Sequence, residues 1–187
     1  GATKGADGKW QFNGKPITLI FLIRNDGDGT RLPQGQYFAQ QLEALGFTVD
    51  RQEKKSSELS PLWNGSDPKD GLWYVYTAGW GSSGLNRDEK AQFVQMYLPE
   101  SGSFNAAKSN TNFDPTYSKV ANDLNSGNFT TLQQRHDMLA EALPLSLEDS
   151  LQVFTVDLQT YAPFKCDLSV TADVGAGVET TKMGLFN

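Results

Sequence analysis

A chain of 187 residues is enough for one ordinary domain and short for two. Its 38% hydrophobic and 20% charged residues supply a core and exclude the disordered regime. The 22 acidic residues against 16 basic ones, a net charge of −6, leave no electrostatic footprint for nucleic acid or anionic lipid, and both drop down the list of partners, with no nucleic acid expected.

Residues 1–13 are polar and glycine-rich and read as a peripheral or connecting segment. Ile17 to Arg24 is an apolar, β-branched run without strict alternation, which predicts a central strand covered on both faces. At seven residues, Ile17 to Ile23 is also the longest mainly apolar run, and it is far too short to span a membrane. The turn Asn25-Asp26-Gly27-Asp28-Gly29-Thr30 follows. Tyr37, Phe38, Gln41, Leu42 and Leu45 then recur at helical spacing up to Gly46, a good C-terminal cap. Phe47 to Arg51 alternates as a second strand, and Ser56 or Ser57 caps a short helix carrying Leu59, Leu62 and Trp63. After a polar loop, Leu72 to Tyr76 predicts a third strand, closed by Thr77-Ala78-Gly79-Trp80-Gly81-Ser82-Ser83-Gly84.

The order β-α-β-α-β predicts an α/β fold with a mainly parallel central sheet flanked by helices. Further on, Asp88 to Leu98 reads as a helix and Pro99 to Asn112 as a long polar loop. Asp114-Pro115 starts another helix, Thr130 or Thr131 a third through Leu143, and Leu151 to Val156 returns to strand. Residues 161–187 carry no helical pattern and read as short strands or extended, connecting chain. The whole chain is expected to form a single domain. It begins Gly1-Ala2-Thr3 without a targeting segment, so the expectation is a processed or excised piece of a longer protein.

Four segments taken in order carry a resemblance. They are Gly14-Lys15-Pro16-Ile17-Thr18-Leu19, then Gln41-Leu42-Glu43-Ala44-Leu45-Gly46-Phe47-Thr48-Val49, then Thr77-Ala78-Gly79-Trp80-Gly81, then Asn112-Phe113-Asp114-Pro115-Thr116-Tyr117. Over about residues 10–165 the chain resembles the C-terminal lobe of extracellular solute-binding proteins of family 5, the dipeptide, oligopeptide and nickel type of ABC-transporter receptor. The segment Thr131 to Leu143 also matches that family's long helix, and Leu143-Pro144-Leu145 followed by Leu151 to Val156 is a looser version of the proline-containing strand that follows it. The resemblance implies one lobe of a periplasmic-binding-protein-like fold. It also implies a missing N-terminal lobe in the same longer chain, a small solute or peptide ligand, and a membrane permease as partner. The location it implies is the periplasmic or extracellular face of a bacterial membrane, with a lipid anchor on the full-length protein.

In open α/β sheets ligands sit outside the carboxyl ends of the strands. Those ends nominate Arg24, Asn25, Trp80, Gly81, Ser82, Ser83 and Asn86 as ligand contacts, with Arg87 as a neighbouring cation. An indole at a strand end offers a flat apolar face and one donor, and flanking glycines admit a ligand to the backbone. In peptide-binding members of the family an aspartate three residues after the tryptophan pairs with the peptide's amino group. Here that position is Ser83, and a hydroxyl is a poor substitute for a carboxylate facing an ammonium.

Other chemistries weigh less. With one cysteine, Cys166, and one histidine, His136, the chain has no internal disulfide and cannot build a cysteine- or histidine-rich metal site, and no motif requires a cofactor. Cys166 reads as an isolated thiol. Asp26-Gly27-Asp28-Gly29 fails the calcium-loop spacing, because Arg31 stands at the required glycine and Tyr37 at the final glutamate. Gly81-Ser82-Ser83-Gly84 sits where a hydrolase nucleophile would, and a triad of Ser83, Asp114 or Asp123, and His136 keeps a serine hydrolase as an alternative. The glycine spacing is wrong for that motif, and His136 lies mid-helix between Arg135 and Asp137. An interaction domain without a small-molecule site is the remaining alternative.

Overall fold

The computed structural model describes residues 1–27, 29–79, 90–101, 108, 114–156, 165 and 167. The chain divides into two compact units, Gly1–Gly79 with Pro99–Thr111, and Trp80–Leu98 with Asn112–Asn187.

The first unit opens with three short strands, β1 (Thr3–Lys4), β2 (Trp10–Phe12) and β3 (Lys15–Pro16), joined in an antiparallel sheet of order β1-β2-β3. Strand β4 (Thr18–Arg24), helix α1 (Arg31–Ala44), strand β5 (Thr48–Lys54), helix α2 (Ser56–Trp63) and strand β6 (Val75–Tyr76) follow. They form a second sheet of order β5-β4-β6 with both pairings parallel. The fold class read from the sequence is therefore the one observed, with β4 central as its apolar run required.

Alternation along β4 divides its side chains between two covered faces. Phe21 and Ile23 pack with Ala39, and Leu32, Phe38, Leu42, Val49 and Val75 close around them, so this face is roofed by α1. On the same side of β5 the polar residues find partners on α1. Arg51 pairs with Glu43 at 2.5 Å, and Gln36 donates to Glu53 at 2.9 Å. Leu22, fully buried, lies on the opposite face in register with Tyr76. Tyr76 stacks on Trp63 at the end of α2, with ring centroids 4.9 Å apart, and Leu59 of the same helix is fully buried. The connection from β4 to β5 and the connection from β5 across β4 to β6 run in opposite directions along the sheet, so the right-handed rule for such crossovers puts α1 and α2 on opposite faces, as this division of the core requires.

Helix α1 ends as its sequence predicts. Gly46 adopts φ +102°, its N–H donates to Glu43 O, and Phe47 N–H donates to Leu42 O, the paired bonds of a Schellman cap. The antiparallel sheet, which residues 1–13 did not announce, is anchored on this turn. Trp10 N–H donates to Gly46 O at 2.8 Å, its indole N–H donates to Leu45 O at 3.0 Å, and its ring stacks on Phe47.

The described residues of the second unit form the helices α3 (Lys90–Tyr97), α4 (Pro115–Ser126) and α5 (Leu132–Asp149). Asp114 caps α4 by accepting from Thr116 N–H at 2.8 Å with Pro115 in the first turn, and Thr131 caps α5 by accepting from Gln134 N–H at 3.1 Å. Met96, Tyr97, Leu98, Tyr117, Val120, Ala121, Leu124 and Ala142 are buried. The Tyr117 hydroxyl donates to Phe93 O at 2.9 Å, which satisfies its one polar atom inside that core.

Three local expectations are corrected. Helix α2 is not capped by Ser56 or Ser57: Lys55 is its N-cap, because acceptors for its first amides come from Glu58 and from Asp26. Helix α5 does not stop at Leu143 but runs through Pro144 to Asp149. Pro144 lacks the donor for Ala140 O, but Ala140 is exposed, so water can take that carbonyl. Buried Ala142 and Ser146 meanwhile hold both sides of the proline in the helix. Leu151–Val156 carries no strand ladder among the described residues. The neighbours Val153 and Phe154 are both exposed, so neither face of this segment is buried as a strand in a sheet would need. Among the described residues no helix is long and apolar enough to cross a membrane.

Candidate functional site

The carboxyl edge of β5-β4-β6 is built by local rules. Three parallel strands run the same way, so Arg24-Asn25-Asp26, Lys54-Lys55 and Thr77-Ala78-Gly79 all emerge at one edge. The N-terminus of α1 starts close to that edge, and Gly35 lets it do so. A Cβ at Gly35 would stand 2.6 Å from Ile23 Cγ2 and 2.9 Å from Thr77 Cγ2. At Gly79, at the strand end, a Cβ would fall 2.6 Å from Nη2 of the Arg31 guanidinium, the movable end of that side chain.

Hydrogen bonds knit the three strand ends together. Thr77, buried, accepts the Arg24 N–H on its hydroxyl at 2.9 Å and donates its own N–H to Leu22 O at 3.1 Å. Asn25 donates its backbone N–H to Lys54 O at 3.0 Å and its side-chain amide to Glu53 O at 3.2 Å. Arg24 donates from Nε to Asp26 Oδ1 at 2.6 Å, and the same oxygen accepts the Ser56 N–H at 3.0 Å. The Arg24 bond is the main reason the Asp26 carboxyl sits below the ordinary carboxylate range, burial opposing it and the Ser56 amide assisting. Asp26 is thus an anion at neutral pH whose oxygen is engaged within the fold, the use that the failed calcium spacing left open.

Of the nominated contacts, Arg24 and Asn25 lie together on this edge. Each has an intramolecular partner as well as its place at a strand end. Trp80, Gly81, Ser82, Ser83, Asn86 and Arg87 fall outside the described residues, as do Cys166 and most of the tail. Asp26 and Thr77 also organise this edge, though the sequence did not nominate them as ligand contacts. An aspartate two residues past an arginine at a strand end was the available signal for the first; the second depends on a contact 53 residues away. In the second unit, His136 is exposed on α5. Asp114 accepts from Thr116, and Asp123 accepts from Lys119 at 2.7 Å and Asn128 at 3.0 Å. Among the described residues no group of three or more His, Cys, Asp or Glu side chains is arranged to hold a metal ion.

No family profile and no curated protein matches the chain. Solved structures do. NikZ from Campylobacter jejuni in complex with Ni(L-His) aligns at 18% identity and TM-score 0.56 over 81% of this chain. The nickel ABC transporter from Bacillus halodurans aligns with the same identity, TM-score and coverage. NikA from Brucella suis in complex with Fe(III)-EDTA aligns at 16% identity and TM-score 0.56, again over 81%. This chain spans 28% of the length of each of them. It therefore shares the fold of part of these transport proteins, in agreement with the resemblance carried by its four sequence segments.

Proposed function

We propose that this chain is the ligand-binding lobe of an ABC-transporter solute receptor. It captures a small solute at the carboxyl edge of β5-β4-β6 and delivers it to a membrane permease. The shared fold with NikZ and NikA is the observation that carries this reading. In this account a further lobe of the same longer polypeptide closes over the solute, and the protein works at the periplasmic or extracellular face of the membrane, held there by a lipid anchor. The chain forms one functional unit of that receptor, and Trp80 to Ser83 with Asn86 complete the edge that Arg24 and Asn25 begin.

The solute is an organic molecule, a peptide or an already chelated metal, in preference to a bare ion. One histidine and one cysteine in 187 residues give a soft or borderline metal few ligands. Backbone amides, Arg24, Asn25 and an indole instead suit a solute that presents hydrogen-bonding oxygens and a flat surface. NikZ and NikA hold their metals as Ni(L-His) and Fe(III)-EDTA, which are solutes of this kind. Hydrolysis is disfavoured because Asp114 and Asp123, the two acids available to a triad, are engaged as a helix cap and with Lys119 and Asn128.

A thermal-shift screen against dipeptides, oligopeptides, sugars, nickel and Ni(L-His), run on this chain and on the longer precursor, tests the reading. One solute class should raise the melting temperature, and Trp80→Ala should abolish the rise. Ester hydrolysis that disappears in Ser83→Ala would overturn it.

A further inference from the structure

We propose that Asp26 is a positioning residue of the solute-facing edge: one carboxylate oxygen pins the Arg24 guanidinium. This rests on the receptor reading above and adds to it the device that orients its cation. The base of Arg24 is fixed by the sheet, since its N–H is held by Thr77 and the next amide by Lys54 O. Its tip is fixed by Asp26 Oδ1, 2.6 Å from Nε, and Gly27 gives it room. Gly27 adopts φ +99°, and a Cβ there would stand 3.0 Å from Arg24 Nη2. A bond through Nε sets the plane of the guanidinium. The rotamer freedom of a long cationic side chain is then lost on folding and need not be lost again on binding. Asp26 Oδ1 also accepts from Ser56 N–H and so caps the start of α2, a second role that is separable from the bond to Arg24.

Two variants separate this role from simple helix capping. Asp26→Asn weakens the charged bond to Arg24 and the cap together. Ser56→Pro removes only the amide donor, at a first-turn position that proline favours and after a Lys55 whose ψ of 157° suits a following proline. Nitrogen-15 NMR of the full chain, with the Arg24 Nε–H assigned through Arg24→Lys, reads the pinning. Calorimetry with Ni(L-His) and with an alanine dipeptide reads binding. The Arg24 Nε–H should be protected from exchange in wild type and Ser56→Pro and unprotected in Asp26→Asn. The probe that binds should bind about tenfold more weakly to Asp26→Asn and within about twofold of wild type to Ser56→Pro. Arg24→Gln, which leaves the cap intact, should weaken it as much as Asp26→Asn, and combining the two should add little. Equal weakening by Ser56→Pro and Asp26→Asn, or an unprotected Arg24 Nε–H in wild type, would overturn the proposal. A wild-type chain that binds neither probe yet protects that proton would overturn the receptor reading while leaving the pinning intact.

Discussion

Gly35→Ala tests how closely α1 sits on the sheet that carries the candidate site. In an open helix interior this substitution stabilises by about 1 kcal/mol, the difference in helix propensity between glycine and alanine. Here the new methyl would stand 2.6 Å from Ile23 Cγ2, 2.9 Å from Thr77 Cγ2 and 3.0 Å from Ile23 Cγ1. Ile23 is fully buried, so it cannot swing away, and overpacking of this kind costs about 1–3 kcal/mol. Taking the middle of that range, the clash outweighs the propensity gain and the variant loses about 1 kcal/mol. That corresponds to a fall of about 2–4 °C in Tm for a chain of this size. Ile23→Ala removes two of the three crowding atoms, so Gly35→Ala should cost much less in that background, with a coupling energy of about 1–2 kcal/mol. Urea unfolding followed by circular dichroism on the four proteins of the cycle measures it. Equal effects of Gly35→Ala in both backgrounds, or stabilisation in wild type, would refute the close approach.

Gly46→Ala should destabilise by about 2 kcal/mol or more, since φ there is +102° and a Cβ would meet Gly8 O at 2.6 Å. An unchanged urea midpoint would contradict the cap. In the helical unit, burial pushes the Tyr117 and Tyr97 phenols up, with lesser contributions from Tyr97 and Asp149 at Tyr117 and from Asp149 at Tyr97. The unfolded phenol titrates near 10, so stability from these groups is complete below that pH and declines as pH rises above it. Tyr117→Phe should cost about 1 kcal/mol at neutral pH by removing the hydroxyl's hydrogen bond to Phe93 O, and it should flatten the alkaline decline. An alkaline limb with the same slope in both proteins would contradict it.

Local signals carried most of what was legible in the sequence. The apolar run of β4, the glycine that ends α1, Asp114-Pro115 before α4 and Thr131 before α5 each act within a few residues, and each stands where expected. Long-range contacts decided the rest. The N-terminal antiparallel sheet rests on Trp10 reaching Leu45 and Phe47, and the first amide of α2 is taken by Asp26, 30 residues earlier. Pro144 reads locally as a stop, but tertiary burial of Ala142 and Ser146 outweighs it. At the site, the rule that ligands meet the carboxyl ends of parallel strands selected Arg24 and Asn25, and both are on that edge. Their partners were not legible, because Asp26 resembled half of a metal loop and the Glu53 carbonyl carries no sequence signal. Trp80 to Ser83 and Asn86 lie beyond the described residues, and their roles remain part of the proposal.

The central claim is that the carboxyl edge of β5-β4-β6 faces a solute, and an amide chemical-shift titration of the labelled chain tests it most directly. Titration with Ni(L-His) and with an alanine dipeptide should perturb the amides of Arg24 to Gly27, Lys54 and Thr77 to Gly79 first with one of the two probes. Perturbations confined to α3, α4 and α5, or none with either probe, would contradict the claim.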